Sequence, residues 1–161
     1  MNRRAAERGF SLIELVIVLM IISLLLRIGL PAYDSVRRGA IAARAAGDVA
    51  VIRIGAAAQF TATGGYAPDA VGGVTPAGMG AYLPHDFSFR PKDYELDWEN
   101  WTVADTSANP NGNGQILAVT VTAQDPEVGL RVLDVVGRNC THWSVGNSHT
   151  FVVQSTLEAP H

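Results

Sequence analysis

Glu14 is the residue whose type and place most need a chemical reason. It is a carboxylate inside a run that is almost wholly apolar from Phe10 to Leu30, 21 residues broken only by Ser11, Glu14, Ser23, Arg27 and Gly29. Placing an acid in hydrocarbon costs several kcal/mol by most scales, so such an acid needs a positive partner. No Lys or Arg sits one helical turn away on its face, and Arg27 is about 20 Å further along a helix. Cutting the chain after Gly9 creates a cation, the α-amino group of Phe10. In one helix that amine lies a turn from Glu14. Between two helices displaced along their axes, the amine of one meets the acid of the next. The alternative is a Glu14 solvated among headgroups beside the basic leader.

Other groups with chemical potential are weaker. Cys140, His142 and His149, with His85 elsewhere, follow no strong structural-zinc spacing. Asp93, Glu95, Asp97 and Glu99 form a row along one strand face, and a row does not converge as a calcium loop does. Ser148–His149 is no triad. No nucleophile elbow, phosphate loop or dinucleotide fingerprint occurs. No metal, cofactor or catalytic residue is expected, so the chain reads as a non-enzyme.

The elements that carry Glu14 come next. About 20 helical residues cross a bilayer, so residues 10–30 are expected to be transmembrane. Residues 1–9 hold Arg3, Arg4 and Arg8 against Glu7, and this basic leader keeps the N-terminus cytoplasmic and puts the rest outside. "RIGLPAYD" offers no A-x-A-like cleavage site, which argues against an ordinary secretory signal. Residues 54–161 carry a net charge of −7 within a chain total of −3. Phosphate binding needs clustered Lys and Arg, so no nucleic-acid partner is expected. With the single Cys140, no intrachain disulfide forms, and the head relies on its core.

The stretch "RGFSLIELVIVLMIISLLL" resembles the N-terminus of type IV pilins and of the pseudopilins of type II secretion. A basic leader ends in Gly9, Phe10 and Ser11 follow, and a glutamate stands fifth after the junction. The likeness runs to "LPAY" at Leu30–Tyr33. It implies cleavage between Gly9 and Phe10 by a prepilin peptidase, N-methylation of Phe10, and assembly into a filament through the apolar helices. Its partners are then that peptidase, copies of the chain, other pilins or pseudopilins, and an inner-membrane assembly platform. Glu14 is expected to set the register, since a charged pair in an apolar bundle penalises every unpaired arrangement. The implied place is the inner membrane, single-pass with a periplasmic head, then a filament in the periplasm or at the cell surface. The resemblance separates neither pilus from pseudopilus nor major from minor subunit. Arg27 and Glu7 depart from the usual pattern. The competing reading is a bitopic membrane protein with a ligand-binding or catalytic periplasmic head.

The expected architecture is α+β and pilin-like: leader 1–9, long helix 10–60, connecting loop 61–93 and antiparallel-sheet head 94–161. Gly29 and Pro31 are expected to kink or locally melt the helix, since proline removes a donor and crowds the preceding turn. Val36, Ala40, Ala43, Gly47, Ala50, Ile54 and Ala57 make an apolar stripe expected to pack on the head. Asp34, Arg37, Arg44 and Asp48 form a polar face, solvated or turned to a neighbouring subunit. Tyr66, Tyr82, Phe87 and Phe89 are expected to pin the loop to the sheet. Strands are expected at Tyr94–Ala104, Gln115–Ala123 and His149–Gln154, with a turn at Asn109–Gly114. A helix capped by Asp125, with Pro126 at its first position, should end near Gly137 and turn Leu130, Leu133 and Val136 or Val132 to the sheet. The tail to His161 is expected to fray.

Overall fold

A computed structural model describes residues 10–105 and 112–155, with backbone alone at 104, 105, 112 and 113. The expected turn at Asn109–Gly114 and the tail after Ser155 fall largely outside those residues, as does the leader. The chain divides into two compact units, one ending at Arg37 and one beginning at Arg38.

Helix α1 runs from Leu12 to Thr63. Up to Arg37 every described side chain is exposed, and the most apolar 18-residue window averages a hydropathy of 2.6 with none of it buried. The helix continues through Gly29 and Pro31, so local melting is absent here. Pro31 has no N–H to offer the Arg27 carbonyl, and one rung of the ladder is missing there.

The second unit is a four-stranded antiparallel sheet with two helices against it. Strands β1 (Tyr94–Asp105), β2 (Gly112–Ala123), β3 (His142–Val145) and β4 (Ser148–Ser155) lie in the order β1-β2-β4-β3. Tyr94, Leu96 and Trp98 alternate with Glu95, Asp97 and Glu99, so one face turns to the core. Leu117, Val119, Val121 and Phe151 complete that inner face, all buried. A register shift between Leu117 and Ala118 interrupts the β2–β4 ladder. β3 is absent from the sequence reading; four residues, all exposed, give too little alternation. The residues between β3 and β4, Gly146 and Asn147, are a two-residue hairpin signal, and Gly146 has a φ of 60°.

The face of α1 that meets the sheet is not the expected one. Ala42, Ala45, Val49, Ile52, Ala56 and Gln59 are buried, at alternating spacings of three and four. The stripe of Val36, Ala40, Ala43, Gly47, Ala50, Ile54 and Ala57 is exposed throughout. At 100° per residue the two stripes lie on opposite sides of the helix. Both are small and apolar, so periodicity alone could not choose between them. Tyr94 donates its hydroxyl hydrogen bond to Asp48, which anchors the edge of that contact.

Helix α2 (Pro126–Val136) begins as its sequence suggests. Asp125 accepts from the Glu127 N–H at 3.0 Å, and Pro126 takes the first position. Arg38 on α1 donates to Asp125 and to Glu127, each at 2.7 Å. Val128, Gly129 and Val132 are buried, while Leu130 is exposed and Leu133 and Val136 are half-buried. Val132, Leu133 and Val136 thus face the core as expected, while Leu130 does not, and Val128 and Gly129 are buried instead. Gly129 permits this: a Cβ there would stand 2.5 Å from His149 Nε2.

The free edge of β1 is occupied by the connecting segment. Ala70 N–H donates to Trp98 O, Gly73 N–H to Leu96 O, and Leu96 N–H to Phe89 O. Asp69 accepts from the Asn100 N–H at 3.1 Å, and Ala67 O receives the Trp98 indole N–H at 3.1 Å. Phe89 is buried as expected, Tyr66 and Phe87 pack against the same core, and Tyr66 also stacks on Phe60 of α1 at 4.6 Å between centroids.

Candidate functional site

Two regions hold the functional candidates, the start of α1 and the surfaces of the head. Phe10 is the first described residue; Gly9, the other half of the expected cleavage junction, lies outside the description. Leu15 N–H donates to Ser11 O at 3.2 Å, closing the first turn. Glu14 falls in that turn, where a negative side chain is favoured by the positive end of the helix dipole. Among the described residues Glu14 has neither a hydrogen bond nor an ion pair. The hydroxyl of Ser23 donates to Leu19 O at 2.7 Å, so this polar group is satisfied inside the helix. Glu14 is thus an unmatched acid on an otherwise apolar, uncovered surface. Gly29 and Pro31 sit further along α1 and meet none of the other candidates.

The groups weighed for metal do not converge. Cys140 Sγ donates to Val136 O at 3.3 Å, His142 Nδ1 lies 3.2 Å from Cys140 O, and His149 Nδ1 lies 2.7 Å from Ser144 Oγ. Among the described residues no three His, Cys, Asp or Glu side chains are placed to hold one ion. His149 is buried under α2, and burial, then the neighbouring His142, lowers its pKa.

The outer face of the sheet carries the acidic row. Glu95 pairs with Arg90 at 3.0 Å. Glu99 accepts from Thr120 Oγ1 at 3.2 Å, and Asp97 Oδ1 is a buried oxygen with no partner. Burial, then the charges of Glu99, Asp69 and Glu95, pushes the Asp97 carboxyl up to about 6. Trp101 and Trp143, from the two edge strands, meet at 5.5 Å between centroids. They roof the central strands, where Ala118, Thr120 and Thr150 are buried on the outward side. This aromatic pair spans four strands and left no local pattern in the sequence.

A long helix with an apolar, uncovered first half, an acid in its first turn and an antiparallel sheet against its second half defines a pilin-like α+β protein. Residues 4–26 match the model of the prokaryotic N-terminal methylation motif, the hallmark of the type IV pilin and pseudopilin family. Over those residues the chain carries the N-terminal signature of a type IV pilin- or pseudopilin-like precursor. No curated protein and no solved structure matches it.

Proposed function

We propose that this chain is a structural subunit of a type IV pilus-like filament or of a type II secretion pseudopilus. A prepilin peptidase cuts it between Gly9 and Phe10 and methylates the new N-terminus. It rests in the inner membrane with its head in the periplasm, and then leaves the bilayer to join other subunits through α1. Glu14 pairs with the Phe10 amine of a neighbouring subunit. The observation that carries this reading is the motif at residues 4–26, whose part from Leu12 onward is helix and whose lone early acid there has no described partner. In a packed bundle an unmatched carboxylate costs several kcal/mol, and the amine removes that cost in one register only. Gly29 and Pro31 mark where the helix gives way on assembly, because the ladder is already one bond short there.

The test is made in a host that supplies the peptidase and the assembly platform. Mass spectrometry of the assembled protein should find a chain beginning at methylated Phe10. Glu14→Ala should leave that cleavage intact and lower the filament yield at least tenfold. An intact leader, or a normal yield from Glu14→Ala, defeats the reading.

A further inference from the structure

The head carries an apolar groove on one half of its sheet and an apolar knob on the other. The groove lies among α1, the end of α2 and β4, with a volume of about 250 Å³. Val49 and Phe151, both buried, and Val136 form its apolar walls; Arg53, Asn139 and Cys140 are its polar members. Arg53 is exposed and makes no ion pair or hydrogen bond among the described residues. No acid lines the groove.

The knob lies on the segment along β1. Val71 is 78% exposed and Val74 53%, and the hydrogen bonds of Ala70 and Gly73 to β1 hold the backbone between them. Asp69 stands two residues before Val71. Asp69, Asp97 and Glu99 form a patch with no ion pair among the described residues, since Arg90 serves Glu95. Repulsion within the patch contributes to the raised Asp97 pKa, and a nearby cation would relieve it.

We infer that the Val71 knob of one copy of this chain seats in the groove of a second copy, where Arg53 of the second copy faces Asp69 of the first. Four properties match. The knob is apolar and the groove is apolar. The unpaired charges are opposite in sign. At about 30 Å³ per water the groove holds roughly eight waters, room for a valine side chain or two. Knob and groove also lie beside different strands, β1 and β4, at opposite sides of β2, so they cannot meet within one chain. A contact between two different patches is heterologous, and where its rotation does not close into a ring it propagates an open, helical chain of subunits. The contact is small, so it orients neighbouring heads and does not by itself drive assembly. This inference rests on the filament reading above.

Cys140 is the chain's sole cysteine and lies in the groove, which makes the test direct. Filaments of the full processed chain carrying Val71→Cys are treated with a short bismaleimide, which adds one thiol to each end. A ladder of covalent multimers should form. Wild type and the double variant Val71→Cys, Cys140→Ser should give none. Adding Arg53→Glu should lower the ladder by up to about fivefold, the upper range for a single exposed ion pair, while Arg53→Lys keeps it. Normal filaments without a ladder overturn the knob-and-groove contact and leave the filament reading standing. So does a Cys140 that becomes shielded from a monofunctional maleimide in filaments that give no ladder, which assigns the groove to another segment or an amphiphile. A ladder indifferent to Arg53→Glu overturns the charge pairing. Wild type that forms no filaments at all removes the filament reading and this contact with it.

Discussion

Replacing Ile52 and Ile54 in turn by alanine separates the two faces of α1. Ile52 is 0% exposed and Ile54 is 69% exposed, although they are two residues apart on one helix. The helix-propensity gain on going to alanine is the same small amount at both and cancels in the comparison. At Ile52 about three methylene equivalents leave the core, worth roughly 2.4 kcal/mol at about 0.8 each. The cavity left behind raises the loss to about 3–4 kcal/mol, within the range of large-to-alanine changes. At Ile54 the loss should stay within about 0.5 kcal/mol. With a urea slope of about 2 kcal/mol/M, Ile52→Ala lowers the midpoint by roughly 1.5–2 M and Ile54→Ala by less than roughly 0.3 M. The assay is urea unfolding of the full chain in mild detergent, followed by tryptophan fluorescence. Trp98 is fully buried with its N–H on Ala67 O, so its emission reports the head core. Equal midpoint shifts for the two variants would refute the face assignment.

Asp97 has a folded pKa raised to about 6, so its contribution to stability is lost as pH rises from about 4 through 6. Asp97→Asn should therefore stabilise the head at pH 7.5 by about 1 kcal/mol after solvent screening, with the gain vanishing below pH 4 in paired melts. His149 titrates in the opposite sense: its lowered pKa gives stability that is present above about 6.5 and is lost as pH falls below that. His149→Asn should flatten that part of the pH–stability curve, and an unchanged slope would show that His149 is not its source. Gly129→Ala should cost about 1–3 kcal/mol by overpacking, because the added methyl meets the His149 ring. His149→Ser in the same chain should recover part of that loss, as a double-mutant cycle by denaturant would show.

Much of this molecule is written in local patterns, and the failures have physical causes. The apolar run at residues 10–30, the alternation at Tyr94–Glu99 and the Asp125–Pro126 cap each depend on residues within one or two turns, and each is legible. The sheet-facing side of α1 is not, because Ala42, Ala45 and Ala56 on one side are as small and apolar as Ala40, Ala43 and Ala50 on the other. Only the positions of Val49 and Ile52 against Trp98 and Phe151 decide it, and that is tertiary information. Leu130 illustrates the same limit in α2, where the bare Cα of Gly129 and its fit to His149 set the rotation. β3 is too short for alternation, yet the Gly146–Asn147 pair before β4 was a usable signal. The groove and the tryptophan roof draw on residues far apart in the chain, and no spacing in the sequence announces them.

The segment hydrogen-bonded along β1 has a consequence for how the protein survives at high local concentration. An open strand edge is a template on which any other extended chain can crystallise. Here the Leu96 N–H and O and the Trp98 O of that edge are spent on Phe89, Gly73 and Ala70, and the Asn100 N–H on Asp69. Over Leu96–Asn100 that edge is therefore closed to amyloid-like stacking, and loosening the strap would open it to other extended chains.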